Sequence, residues 1–259
     1  MQKTFKSPQL NLEVEIGKYA CQANGAVWIK HGKNIVLSTA VASKEPKDFM
    51  GFFPLSVEYR ERTFAAGKFP GGYIKREGRL SDNEILVSRM IDRPMRPLFP
   101  SYYFNEVQLL SSVYSADGKY PLDILALVGS SLALTISDIP FFGPVGAVRA
   151  NKVDGEWKFN LEYNTNIESD SSIVIAGTID GICMVEGHCN NIPEQELIDL
   201  LFSSHEEIIK QINWQLEIQK ELNVQKAEIP EIIDWESWKT KIKNALPQGF
   251  EQTLFAENK

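Results

Sequence analysis

The sequence predicts an α/β chain of the α+β kind, with two groups of short strands packed with helices and then the start of an all-helical segment. Three observations carry that reading. Short apolar runs bounded by Asn24-Gly25 and His31-Gly32 turn signals fill the first sixty residues. A helix start of unusual clarity follows a glycine-rich stretch at Ser81. From Pro193 onward apolar residues recur at helical spacing.

In chain order, strands are expected at Leu12 to Ile16, Ala26 to Lys30, Ile35 to Ala42 and Phe53 to Tyr59, and together they read as a meander. The stretch from Gly67 to Arg79 is too rich in glycine and charge for a regular element and reads as an exposed loop. Ser81 and Glu84 then form an S-x-x-E capping box, with Leu80 and Ile85 placed as a hydrophobic staple. At 100° per residue Leu86, Val87, Met90 and Ile91 make an apolar arc beside a narrow arc of Arg89, Arg93 and Arg96. Arg96 belongs to that stripe only if the helix continues through Pro94, because proline lacks the amide that the turn needs.

Glu106 to Tyr114 reads as a strand, and Leu122 to Ser137 as a helix apolar on most faces and therefore buried. Further strands are expected at Val145 to Arg149, Glu156 to Leu161, Ser172 to Ala176 and Ile182 to Glu186, the last two joined across Asp180-Gly181. A helix to about Gln225 follows, and the Ile229-Pro230 break divides residues 1–229, one core, from residues 230–259, where a second helical pattern starts near Trp235. The chain stops at Glu257-Asn258-Lys259 without a glycine stop and is read as truncated within that helical segment.

Composition bounds function. No apolar stretch approaches the roughly 18 to 20 residues of a membrane span, and no basic-then-apolar leader opens the chain, so a cytoplasmic protein without a membrane partner is expected. Cys21, Cys183 and Cys189 are odd in number and irregularly spaced, which fits a reducing compartment, and Cys183, His188 and Cys189 do not make a zinc set. The net charge of −7 argues against nucleic acid only as an average. From Pro193 on there are 13 acidic and 7 basic residues, a balance of −6, so the rest is nearly neutral. Seven of the eight arginines, Arg60, Arg62, Arg76, Arg79, Arg89, Arg93 and Arg96, lie in one 37-residue window, the footprint of a polyanion site because the guanidinium fork matches phosphate oxygens. The alternative is a set of surface arginines paired with Glu61, Glu77, Glu84 and Asp92.

The common signatures of nucleotide, metal and serine chemistry (G-x-x-x-x-G-K-[ST], G-x-G-x-x-G, H-E-x-x-H, G-x-S-x-G) are absent. The loop glycines have a plain reading as turn residues. Tyr73 beside Lys75, Arg76 and Arg79 has another, since an aromatic face for a base next to cations for the backbone is the minimal equipment for gripping single strands.

The runs Phe52-Phe53-Pro54-Leu55-Ser56-Val57-Glu58-Tyr59, Ala65-Ala66-Gly67-Lys68-Phe69-Pro70-Gly71-Gly72, Arg76-Glu77-Gly78-Arg79 and Ser88 through Pro100 (SRMIDRPMRPLFP) resemble the first ribonuclease PH-type core of the polynucleotide phosphorylase family. Gly129 to Leu134, Ile139 to Gly146 and Val174 to Thr178 are similar to later parts of that core, and the acidic helical end resembles the family's interdomain segment. The resemblance implies a ribonuclease PH-like core (ribosomal protein S5 domain 2-like), a homotrimeric ring of two cores per chain around a single-stranded RNA channel, and contacts with other RNA-degradation proteins. It also implies processive 3′-to-5′ phosphorolysis in the second core, with inorganic phosphate as co-substrate and magnesium assisting.

In the family, the loop at the channel's constriction carries two aromatics and two arginines, and the matching positions here are Tyr73, Ile74, Lys75 and Arg76. Arg79, Arg89, Arg93 and Arg96 join these as implied RNA contacts, with structural pairing the other role open to the arginine-rich helix. The D-x-D-x-K pattern of the active core is represented by Asp170, Ser172 and Val174, so no catalytic or metal-binding residue is expected in this chain. The alternative function is a non-catalytic RNA-binding ring subunit of an exosome-like assembly.

Overall fold

In a computed structural model of the chain, residues 2–46, 52–73, 75–162, 171–228 and 234–246 are described. The chain separates into two units, Met1–Ala227 and Glu228–Lys259, and the expected boundary at 229–230 lies outside the described residues.

The first unit opens with strands β1 (Lys3–Ser7), β2 (Leu12–Ile16), β3 (Gly25–His31) and β4 (Asn34–Pro46), paired antiparallel in sequence. Alternation decides their faces: Val27 and Ile29 are fully buried, while Trp28 and Lys30 point the other way. β1 was not legible in the sequence because Phe5 is its single large apolar residue; it becomes a strand by pairing with β2, Phe5 opposite Val14.

The expected meander ends at β4. Strand β5 (Leu55–Glu61) does not pair with β4 but lies parallel to β6 (Asn105–Ser115), which is inserted between them, giving the order β1-β2-β3-β4-β6-β5. Parallel neighbours need a crossover, and helix α1 (Asp82–Met95) supplies it. The capping box forms as expected: the Ser81 hydroxyl accepts from the Glu84 amide at 3.2 Å and Glu84 accepts from the Ser81 amide at 2.7 Å. The helix runs through Pro94, so that Arg96 keeps helical backbone angles at its end. Val87, Met90 and Ile91 are buried, but Leu86 is 61% exposed and is not part of the apolar arc. The buried arc centres between Val87 and Met95, about 120° away from Leu86 around the helix.

Because β5 is an edge strand, its outward backbone groups need partners, and α1 provides them. The Ser88 hydroxyl accepts from the Tyr59 amide at 2.9 Å, the Glu84 carboxylate accepts from the Glu61 amide at 2.9 Å, and the Arg96 guanidinium donates to the Phe53 and Leu55 carbonyls at 3.0 and 3.1 Å.

Helix α2 (Asp123–Thr135) has twelve buried residues out of thirteen, which places it between sheets rather than at a surface. It packs on β3 and β4 and on β7 (Gly146–Val153) of the second sheet, whose other strands are β8 (Glu156–Phe159), β9 (Ser171–Gly177) and β10 (Ile182–His188) in the order β10-β9-β7-β8. Small residues allow the approach: a Cβ on Gly25 would stand 2.0 Å from the Ala133 carbonyl oxygen. The buried hydroxyls of Ser38, Ser111 and Ser130 satisfy one another at 2.7 and 2.8 Å.

Helix α3 (Glu194–Leu222) covers the second sheet with Leu200, Ile208 and Ile212. β8 pairs with β7 only from Ala150 on, so earlier edge groups of β7 go to side-chain amides: Gln211 accepts from the Ala147 amide at 3.0 Å and donates to its carbonyl at 2.9 Å, and Asn160 accepts from the Arg149 amide at 2.9 Å. Lys226 donates to the Leu134 and Ser137 carbonyls at the end of α2, and burial pulls its ammonium down to about 8, with Asp138 working in the opposite direction. The second unit contains α4 (Trp235–Ala245), capped by the Asp234 carboxylate on the Ser237 amide at 3.0 Å. No helix among the described residues is long and apolar enough to cross a membrane.

Two stability effects follow. Gly25→Ala forces its methyl against a backbone oxygen and should cost about 3 kcal/mol by denaturant unfolding, at the upper end of overpacking costs. Arg96→Ala should cost about 1 to 3 kcal/mol through lost charge-assisted bonds, whereas Arg89→Ala, exposed and unpaired among the described residues, should stay within about 0.5 kcal/mol.

Candidate nucleic-acid interface

The crossover between β5 and α1 holds the glycine-rich loop. A 3-10 turn, Thr63–Ala66, is anchored at the end of β6 by the amide of Ala116, the residue after that strand, on the Ala65 carbonyl at 3.0 Å and by the Phe64 ring against Tyr114 at 5.8 Å. The turn ends at Gly67, whose φ of 68° lies in the left-handed region where glycine is unstrained. The loop then projects: the Phe69 and Tyr73 side chains are 91% and 101% exposed. Lys75 takes a left-handed φ of 56°, uncommon for a side chain of its kind, and closes a turn by donating its amide to the Gly72 carbonyl at 3.2 Å. Ile74 lies outside the described residues. At Gly71, Gly72 and Gly78 neither a left-handed φ nor internal crowding calls for glycine, since an added Cβ would meet nothing within 4 Å.

The loop returns at Glu77. Its carboxylate accepts from the Arg62 guanidinium, from the Thr63 amide at 3.1 Å and from the Thr63 hydroxyl at 3.2 Å. The Arg62 guanidinium first, then the Thr63 donors, hold the Glu77 carboxyl below the usual range. A cleft at the loop base is lined by Arg60, Arg62, Arg76 and Arg79 with the Gly71-Gly72 backbone. The carboxylates around it are already engaged: Glu77 as described, Glu84 by Ser81 and the Glu61 amide, and Glu61 by the Tyr59 hydroxyl at 3.0 Å. Arg76 and Arg79 are exposed and make no ion pair among the described residues, so their donors are free for an anion.

The arginine-rich helix divides into different roles. Arg89 is exposed and unpaired among the described residues. Arg93 pairs with Glu186 of β10. Arg96 pairs with Asp92 at 2.7 Å and caps the β5 edge, so its guanidinium is occupied by the fold. Of the four pairings weighed as the alternative to a polyanion site, those with Glu77 and Asp92 form, through Arg62 and Arg96.

The positions matching the active-core pattern are occupied by other interactions. Asp170 lies outside the described residues. The Ser172 hydroxyl accepts from Arg149 at 3.4 Å and donates to Asn151 at 3.2 Å, and Val174 is buried. An uncharged serine beside a guanidinium, with a valine two residues on, does not fit a divalent cation. Among the described residues no group of three or more His, Cys, Asp or Glu side chains is placed to hold a metal.

Sequence reasoning missed Phe69, although it stands in the stretch flagged as a loop and its aromatic character was the available signal. It also missed an aromatic row on the open face of the first sheet, Tyr19 to Trp28 at 4.3 Å and Trp28 to Tyr114 at 5.0 Å, readable only once β3 and β6 are known to share a sheet.

Residues 10–140 match the family model described as the 3′ exoribonuclease family, domain 1 (RNase_PH). The chain is 49% identical over 80% of its length to the polyribonucleotide nucleotidyltransferase of Thermomicrobium roseum, of which it covers 26%. It is 50% identical over 84% of its length to that of Anoxybacillus flavithermus, covering 31%, and 42% identical over 96% to that of Citrifermentans bemidjiense, covering 36%. The chain thus spans about a third or less of the length of the relatives it matches. Among solved structures it is similar in fold to a chain of the Archaeoglobus fulgidus exosome with RNA bound to the active site, with a TM-score of 0.59 at 15% identity over 80% of this chain and 87% of that one. Rice Rrp46 gives a TM-score of 0.60 at 15% identity over 83% and 96%. With the matched family model covering half of its residues and both sheets and the crossover in place, the chain belongs to the RNase PH family of 3′ exoribonuclease domains.

Proposed function

We propose that this chain is the RNA-guiding, ring-forming amino-terminal part of a polyribonucleotide nucleotidyltransferase, a cytoplasmic homotrimer that degrades RNA from its 3′ end with inorganic phosphate. The observation that carries the reading is the projecting loop, where Tyr73 offers a ring and Lys75, Arg76 and Arg79 offer cations beside a cleft whose carboxylates already have hydrogen-bond partners. Rings stack on bases of any identity and guanidinium groups take phosphate oxygens, so the loop grips a single strand without reading its sequence. Phe69 adds a second exposed ring. Gly71, Gly72 and Gly78, which the fold itself does not require, let an RNA backbone come close.

Of the helix arginines, Arg89 is the RNA contact this reading favours, Arg93 reaches RNA by exchanging its partner Glu186, and Arg96 acts through the β5 edge. Phosphorolysis and magnesium belong, in this reading, to the second core outside this chain; the work of this chain is to hold and orient the strand. The relatives' shared name and the identities of 42 to 50% support the activity, and the exosome-like fold supports a ring.

Two outcomes test it. Lys75→Ala with Arg76→Ala in the full-length protein should flatten the slope of log affinity against log salt by roughly 1.4, since each phosphate contact of a single strand contributes about 0.7. Tyr73→Ala should cost on the order of 1 to 3 kcal/mol of binding with the slope nearly unchanged. A double variant with wild-type affinity and slope removes the loop from the RNA path. The present chain alone, given RNA, phosphate and magnesium, should release no nucleoside diphosphate, and activity that survives purification and is lost on Asp170→Asn would overturn that expectation.

A further inference from the structure

The loop that carries Tyr73, Lys75 and Arg76 has few ties to the rest of the molecule. Between Lys68 and Arg76 the described hydrogen bonds are the Lys68 amide to the Thr63 carbonyl at 3.1 Å and the Lys75 amide to the Gly72 carbonyl at 3.2 Å, and the second is internal to the loop. The outgoing strand is fixed through Gly67 and Lys68 to the 3-10 turn, and the turn is fixed to β6. Among the described residues the returning arm has one hydrogen-bonded anchor, the Glu77 carboxylate, which receives three donors from Arg62 and Thr63 at the start of that same turn. Among the described residues the loop is therefore closed on itself at its base by the Glu77 side chain, next to Arg76.

We infer that Glu77 is a positioning residue for RNA capture: without touching RNA, it closes the base of the loop and so fixes where the Lys75 and Arg76 cations and the Tyr73 ring stand. The inference rests on the proposed RNA role of the loop and adds to it a residue whose charge would by itself repel RNA. Charge and geometry then predict opposite signs. Removing an anion beside Arg76 and Arg79, and freeing Arg62, should tighten RNA binding if Coulomb attraction alone governs it. Removing the anchor should weaken binding, because a loop that samples many conformations must be ordered again when RNA arrives.

The experiment compares full-length wild-type protein with Glu77→Ala and Glu77→Gln, using a single-stranded oligoribonucleotide, and reads two quantities on each. The first is backbone amide exchange at Thr63, whose amide Glu77 accepts, and at Lys75, whose amide closes the turn of the loop. The second is RNA affinity across salt concentrations. For Glu77→Ala, exchange should quicken by about tenfold, the scale of one or two lost hydrogen bonds opening a local segment, and affinity should fall by roughly five- to tenfold, the population lost when binding selects one loop conformation. Glu77→Gln keeps an oxygen for the Thr63 amide and hydroxyl and should recover most of the exchange protection and part of the affinity, which a role in charge alone would not allow. Tighter binding by Glu77→Ala, or unchanged exchange, overturns the inference. Quicker exchange with wild-type affinity also overturns it as a statement about RNA, and the Lys75→Ala, Arg76→Ala protein then locates the failure: if that protein binds RNA weakly, positioning alone is wrong, and if it binds like wild type, the RNA role of the loop is wrong.

Discussion

An exposed strand edge cannot be left with its amides and carbonyls unpaired beside a hydrophobic core, and closing the β5 edge is the constraint on which the rest of this chain turns. β5 lies parallel to β6, so the chain must cross over, and the crossover helix α1 is held against the open edge by side chains rather than by a further strand. Ser88, Glu84 and Arg96 are spaced along one helix so that successive turns meet successive outward groups of β5. Once the two ends of the crossover are fixed in this way, the residues between them have no route but outward. The projecting loop with its ring and its cations follows from the edge closure.

The same economy appears in the second sheet. There α3 closes what β8 leaves open, using Gln211 as a substitute for a strand backbone at Ala147 and Gln215 as a donor to the Val145 carbonyl just before β7. An amide side chain can both donate and accept, as a peptide group does, and for that reason glutamine stands where an apolar helix face would otherwise be expected. Between the sheets α2 is buried on nearly every side, and the hydroxyls it brings are paired: Ser130 with Ser111 of β6, which also meets Ser38 of β4, Ser131 with the Val145 amide, and Thr135 with the Ser131 carbonyl.

Much of this was readable from sequence because it is local. The capping box at Ser81 and Glu84 needs four residues and formed as read, and the alternation of β3 and the apolar length of α2 are set within single elements. What was not readable depends on partners far along the chain. Nothing near Tyr59 says that β6 rather than β4 will be its neighbour, and β1 shows itself only when β2 is beside it. Arg89, Arg93 and Arg96 share an arc, yet one is free among the described residues, one pairs across to β10 and one serves the sheet edge, because the partners Glu186, Phe53 and Leu55 come from elsewhere. Leu86 was placed in the apolar arc by helical spacing, yet it stands at the edge of that arc and is exposed, because the buried face is centred on the Val87 and Met95 side. The motif resemblance reached the family correctly, but it could not say which loop residues are fixed and by what; Glu77 was weighed only as a neutralising charge.

The proposed function requires a single strand of RNA to pass over the loop between β5 and α1. The most direct measurement is photo-crosslinking of full-length protein to a single-stranded oligoribonucleotide carrying 4-thiouridine, followed by mass spectrometry of the attached peptides. Crosslinked peptides are expected from residues 67–79, with attachment at the Phe69 and Tyr73 rings, competed away by unlabelled RNA. Specific crosslinks elsewhere on the chain, with none in residues 67–79, would contradict it.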